Sequence, residues 1–332
     1  MIPIFGSYLR LSLRRCFLSL FFFLISFITT AQNNYFQAEE YFKLEKFILA
    51  KPLFENYLQQ NPHHKKTREY LGDIAAHKKD WDKAISFYKT LAMEEPSNAN
   101  YHFKYGGALG MKAMSVNKLR ALTYIGDIKT ELELAAQLDQ NHIETRWALI
   151  EFYIQLPGIF GGSEDKAIHY ADELGKISKV DGYLANGHIA EYSKRSKDAE
   201  VFYKKAIEVG GSPHTYEKLI SLYKKNDQPA KAIETARISL NKHKINNLNY
   251  QIGEIAAQYN IQPEYGIECL GNYLSNYSSK DTLPKTYAYL RLAQINKNLG
   301  KKQIALTWIH KALKDNPNFK EAQKEKSFIL AL

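Results

Sequence analysis

Residues Leu156 to Ser163 read LPGIFGGS, three glycines ahead of a serine and an acidic helix start. That composition invites comparison with a loop whose backbone N–H groups cradle a phosphate. The Gly-Lys-Ser/Thr core is missing, because Ser163 follows Gly162 directly, and the stretch follows a helical pattern where a phosphate loop follows a strand. Three readings stay open. The glycines make a turn that packs Ile159 and Phe160 onto a neighbouring element, the helix start beyond them holds an anion, or Ile159 and Phe160 stay exposed for a partner. The ten histidines are scattered, with no HExxH or HxxxH pair to set two imidazoles on one helical face, so no metal site is expected. No Gly-x-Ser-x-Gly elbow appears. Glu94 and Glu95 are adjacent on a helix end, so they point apart and serve as surface charge. Cys16 and Cys269 are the two cysteines, and Cys269 falls on the apolar side of a predicted helix as an inert buried thiol. These residue types carry neither catalysis nor a cofactor, and an enzyme reading has nothing to stand on.

The elements around them have a clearer pattern. Thr67 to Pro96, TREYLGDIAAHKKDWDKAISFYKTLAMEEP, reads as two amphipathic helices joined by a polar turn. Gly72 and Ala84 are small enough for antiparallel helices to approach closely, Tyr88 fills the gap beside them, and Pro96 cannot continue the helix. Upstream, Ala50, Phe54, Tyr57 and Pro62 repeat the second helix, and Ala50 and Pro62 lie 34 residues before Ala84 and Pro96. Pro52 is placed near the start of that helix, where its missing N–H costs little. Downstream, Ala199 with Tyr203, then Ala232, Gly266 and Ala305, mark further copies, with Gly187 and Gly253 as small residues of first helices. Leu-Gly, then Ala-x3-aromatic, then Pro, at a period near 34, resembles the tetratricopeptide repeat (TPR). The resemblance extends from about residue 35 to the end. It implies an all-α, right-handed α-solenoid of antiparallel helix pairs, about eight repeats with two irregular central ones. Repeat three carries a surplus near Ser115 to Ile125, expected as longer helices or one extra helical piece. Repeat four has the expanded turn at 156–163, and a polar loop, SNYSSKDTLP, precedes repeat eight.

Three segments follow. Residues 1–31 resemble a secretory signal peptide: Arg10, Arg14 and Arg15 precede the apolar run Phe17 to Ile28, and Thr29-Thr30-Ala31 offers a cleavage point. An uncleaved N-terminal anchor is the alternative, but that run is shorter than the roughly 20 residues of a membrane span. Residues 32–317 form the solenoid, and 318–332 a capping helix that covers the last apolar surface. The chain is therefore expected to be exported, periplasmic or secreted in a bacterial envelope. Its net charge of +10 falls once the leader arginines are removed, and no arginine-rich run or nucleic-acid motif accompanies it. Lysines on outer faces account for that charge. An acidic partner or a membrane surface is the alternative, through peripheral association with the envelope.

In TPR arrays the first helix of each pair lines the concave surface. By register the inward positions include Phe42, Glu69, Asp73, His77, Phe103, His188, Tyr192, Glu217, Lys224 and Tyr250. With Ile159 and Phe160 they form the candidate partner-binding set. Most of the 23 tyrosines fall at core spacing, as Tyr41, Tyr88, Tyr203 and Tyr223 do. The carboxylate clamp of chaperone-docking TPRs is not matched, since Tyr35 and Glu39 stand at the corresponding places of repeat one and Glu39 would repel a carboxylate. The expected function is a non-catalytic exported scaffold that binds a partner protein or peptide, with no nucleic acid, metal or cofactor. The alternative is a small-molecule or glycan pocket in the irregular middle, residues 106–176, lined by Trp147, Tyr153 and Phe160.

Overall fold

The structure is a computed structural model that describes residues 34–332. The leader and its cleavage point lie outside the described residues. Among those described the chain is helical, with no strand. It divides into two compact units, one ending at Ser163 and one spanning Glu164–Leu332.

The first unit stacks antiparallel pairs. A helix over 34–43 (α1) pairs with α2 (Phe47–Gln60), and α3 (Lys65–His77) with α4 (Trp81–Glu94). In the third pair α5 (Ala99–Met114) packs against α7 (Ile125–Leu138), with the short α6 (Lys118–Leu122) inserted between them. The surplus length of repeat three therefore divides between a longer first helix and an extra piece. Then α8 (Ile143–Gln155) leads to a 3-10 turn at Gly158–Phe160. Pro52 lies inside α2, which begins five residues before it. The sequence expectation is corrected here, since Pro52 sits in the second turn and leaves the Ile48 carbonyl without a helical N–H.

The second unit holds α9 (Glu164–Ile177), then the pairs α10 (Lys179–Tyr192) with α11 (Ser196–Val209), α12 (Pro213–Lys225) with α13 (Pro229–His243), α14 (Asn246–Tyr259) with α15 (Pro263–Ser275), and α16 (Lys285–Asn298) with α17 (Lys302–Asp315). A last helix, α18 (Lys320–Leu330), follows. It contributes Ala322 and Ile329, with Phe319 just before it, to a cluster holding Leu290, Ala293, Ala305, Ile309 and Ala312.

Within a pair, contact is set by small residues. A Cβ on Gly72 would lie 2.6 Å from a ring carbon of Tyr88, and one on Gly187 would lie 2.5 Å from Tyr203. Gly253 meets Leu270 in the same way. Ala50, Ala84, Ala199, Ala232 and Ala305 are fully enclosed on the facing helices. The tyrosine hydroxyls reach back to an acid on the first helix: Tyr88 donates to Asp73 at 2.7 Å and Tyr203 to Glu191 at 2.8 Å. Burial, and then the neighbouring carboxylate, pushes both phenols far above the ordinary tyrosine range.

The turn inside each regular pair repeats one backbone device. Glu45, Lys79, Lys194, Asp227 and Gly300 sit at φ values of 54–72°. The next N–H in each case bonds back five residues, as in Asp80 N to Ala75 O at 2.9 Å and Arg195 N to Ala190 O at 2.8 Å. This closes the first helix with a left-handed residue and satisfies its last carbonyls. Four of the turns ahead of a first helix use side-chain caps. The Asn98 side chain accepts from Tyr101 N, the Ser178 hydroxyl from Asp181 N, and the His64 and His142 rings from Thr67 N and Thr145 N. Two of the scattered histidines are thus helix caps.

Two glycine substitutions separate close approach from backbone conformation. Gly300→Ala meets no neighbouring atom but forces alanine to φ 72°, so it should lower stability by about 1 kcal/mol. Gly72→Ala drives a methyl into the Tyr88 ring and should cost about 1–3 kcal/mol. Urea unfolding followed by circular dichroism measures both.

Candidate partner-binding groove

The first helices of successive pairs are stitched by ion pairs. In the first unit, Lys104 Nζ on α5 reaches Glu69 Oε1 on α3 at 2.6 Å and Asp73 at 2.7 Å. Lys66 and Asn100 also donate to Glu69. Burial alone would raise the Glu69 pKa, but the hydrogen bonds and charges of Lys104 and Lys66 outweigh it and hold the carboxyl below its ordinary value. In the second unit, Lys225 on α12 meets Glu191 on α10 at 2.5 Å, Lys224 meets Glu254 on α14 at 3.2 Å, Arg291 on α16 meets Glu254 at 3.2 Å, and Lys297 meets Glu325 on α18 at 2.7 Å. A row of inward charge thus becomes a row of internal contacts.

The twelve residues singled out from sequence meet different fates. Glu69 and Tyr250 are buried, 6% and 5% exposed, so they act as packing and pairing groups. Tyr250 lies beside Tyr273 and donates to Glu254 at 3.3 Å, and its burial lifts its pKa to about 12. Asp73 is held by Lys104 and Tyr88, and Lys224 by Glu254. The Phe42 ring packs on Phe47 and Tyr70, the His77 ring on Phe47, and the Phe103 ring on His142. Glu217 is exposed on α12. Only His188 and Tyr192, one turn apart on α10, come together at a depression.

That depression, about 560 Å³, lies between α10 and α12 and is lined by His188, Glu191, Tyr192, Lys194 and Ser196 on one side and Lys218, Ser221, Leu222, Lys225 and Asn226 on the other. Tyr192 is 52% exposed and offers an apolar ring with a polar tip. Both Glu191 oxygens are occupied, Oε1 by Lys225 at 2.5 Å and Oε2 by the Tyr203 hydroxyl at 2.8 Å. Burial would raise the Glu191 pKa, but those bonds overcome it and keep the carboxyl below its usual value. Lys218, Ser221, Leu222 and Lys225 were not singled out from sequence. Their i, i+3, i+4, i+7 spacing on α12 is the signal that would have found them.

The glycine-rich turn is spent on itself. Phe160 N and Gly162 N donate to Pro157 O, Gly161 N to Gly158 O, and Ser163 N to Tyr153 O. Those N–H groups are therefore not available to an anion. Ile159 is 86% exposed and Phe160 39%, which corrects the expectation that the turn packs them against a neighbour. Tyr153, by contrast, is enclosed in the core and donates to Glu133. His102 is a buried residue the sequence did not flag. Its ring lies 2.5 Å from Glu131 on α7 and 3.1 Å from the Pro96 carbonyl, fastening α5 to α7. Cys269 is buried, and that burial pushes its thiol up to about 11. Among the described residues no group of three or more His, Cys, Asp and Glu is arranged to hold a metal, and no helix is long and apolar enough to cross a membrane.

The tetratricopeptide repeat family model matches residues 32–103, which are the first two pairs and the start of α5. Among solved structures the chain is similar to a tetratricopeptide repeat protein from Parabacteroides merdae, at 12% identity over 90% of this chain and 98% of that one, with a TM-score of 0.48. It is similar to YrrB, described as a TPR protein with an unusual peptide-binding site, at 14% identity over 59% of this chain and 97% of that one, TM-score 0.42. It is also similar to PilF of Pseudomonas aeruginosa, at 12% identity over 69% and 96% of the two chains, TM-score 0.42. No curated protein matches the chain. The architecture is a TPR-like series of helix pairs, a fold consistent with a protein-interaction role. Repeats of this type are typically non-catalytic scaffolds.

The low pKa of Glu191 has a consequence for stability. A carboxyl whose folded pKa lies below its ordinary value of 4.5 contributes stability that is present above that value and lost as pH falls through the folded one. Acidification from pH 5 downward should therefore lower the urea midpoint. Glu191→Gln should make that fall shallower by under about 1 kcal/mol, because Lys225 is largely exposed.

Proposed function

We propose that this chain is a non-catalytic, exported scaffold that holds an extended segment of a partner protein against the first helices of its repeats. The observation that carries this reading is the depression between α10 and α12, where an exposed tyrosine, a histidine and uncommitted polar groups face one space. Elsewhere along the first helices the inward charges are already bonded to their neighbours, as at Glu69, Asp73 and Glu254. The groove offers a place for a side chain to enter and donors beside it, which suits an extended peptide. Export is supported by the leader sequence, with its arginines, apolar run and small residues ahead of Gln32. The mature chain would act in the periplasm or outside the cell, with envelope association through the partner. Within the candidate set, His188 and Tyr192 are the contact residues this reading favours, and Ile159 and Phe160 form a separate exposed pair available to a partner.

Two measurements test it. Replacing His188 and Tyr192 together with alanine should reduce capture of peptides from a displayed library by about tenfold or more, and undiminished capture would remove both residues from the site. Expression of the full chain in a bacterial host, followed by mass measurement of the recovered protein, should show a chain that begins at Gln32. An intact leader on protein recovered from the cytoplasm would sink the export reading.

A further inference from the structure

We infer that the α10–α12 groove selects an acidic peptide segment, with Lys194 and Lys218 as the charges that its carboxylates neutralise. This rests on the reading of the groove as a peptide site and adds the chemistry of its occupant. Both lysines line the depression. Neither forms an ion pair with any described residue, whereas the third lysine of the lining, Lys225, is matched by Glu191. The only carboxylate in the lining is Glu191, and both of its oxygens are engaged by Lys225 and Tyr203. Glu217 is next to Lys218 in sequence, but successive helical residues point about 100° apart, so it does not turn its charge onto the groove beside Lys218. The lining therefore carries two cations with no counter-charge. Elsewhere on the first helices, and on α12 itself, Lys104, Lys224, Arg291 and Lys297 each have an acid opposite.

The rest of the lining favours a peptide over other anions. About 560 Å³ falls within the range of ligand-holding clefts, about 300–1,000 Å³. Leu222 forms an apolar floor and Tyr192 an exposed wall, so an apolar side chain can be covered between the two charged positions. Both cations are lysines, compact point charges that can each pair with a single acidic side chain. The rings of the lining, His188 and Tyr192, stand one turn apart on the same helix, so they cannot close on a sugar or base from opposite sides. The occupant that matches is an extended chain with acidic side chains on either side of an apolar one.

The test is selection from a random displayed peptide library on the purified chain and on a Lys194→Glu, Lys218→Glu double variant, with circular dichroism and urea midpoints confirming that the variant is folded. The chain should enrich peptides rich in Asp and Glu. Affinity for the best of them, read by fluorescence anisotropy, should fall about tenfold or more in the double variant and weaken with added salt. Peptides enriched without acidic bias, indifferent to the charge reversal but lost on Tyr192→Ala, would overturn the acidic preference and leave the groove reading standing. Acidic peptides retained equally by the double variant would place acidic binding elsewhere and overturn the assignment to these lysines. No enrichment, with or without binding of an anionic polysaccharide such as polygalacturonate, would overturn both the preference and the peptide groove.

Discussion

Helix pairs of this chain close most tightly where one helix gives up a side chain so that the other can lay its own against the exposed backbone. Gly72 with Tyr88 and Gly187 with Tyr203 are two examples in which that side chain is a tyrosine, and in each the ring's hydroxyl ends on a carboxylate of the first helix. The contact does two things at once. It removes a large apolar surface from water, and it ties a buried hydroxyl to an acceptor, so the polar end is not stranded. The acid that receives the bond then faces the next pair. Asp73 goes on to Lys104, and Glu191 to Lys225. Packing inside one pair thus prepares the electrostatics of its boundary with the next, and nearest-neighbour stacking in a repeat chain acquires a polar seam beside its apolar one.

That seam decides what the inner row is free to do. Register alone marks inward positions as candidates for contact with a partner, and it marks Glu69, Asp73, Lys224 and Tyr250 as readily as His188 and Tyr192. The first four are consumed by the molecule itself. Their chemistry is held in bonds between successive first helices, so a partner would have to break an ion pair or a core contact to reach it. The α10–α12 step differs because a histidine and a serine stand where acids stand in other pairs: His188 and Ser221 occupy the places held by Asp73 and Glu254. With the acids gone from those places, nearby lysines lose their internal counter-ions and a space opens between the helices.

The fold was legible in the sequence because the glycine, alanine and aromatic positions recur at nearly constant spacing, and each has a one-to-one packing consequence. The pair boundaries, the added length after Gly106 and the polar loop before α16 followed from that phase. Three features were not legible. Pro52 looks like a helix-start residue, yet α2 begins ahead of it, because its enclosed Ala50 and Phe54 hold the turn in place despite the missing hydrogen bond. The glycine-rich turn resembles an anion loop until its N–H groups are seen to be spent locally. The groove residues of α12 share one helical face by their spacing, but which of their polar side chains stay unpaired depends on partners some thirty residues away, and that choice leaves no periodic trace.

The third pair shows how much freedom the architecture leaves to its connections. Between α5 and α7 the chain carries a lengthened helix end and the whole of α6, with Leu119 and Leu122 turned outward, yet Gly106 still faces Leu132 as Gly72 faces Tyr88. The helix-to-helix junction is therefore a place where sequence can be grafted without renegotiating the core. A lineage that needed a new binding element, or a designer adding an epitope or a sensor, would find at that bend a port that the stack does not police.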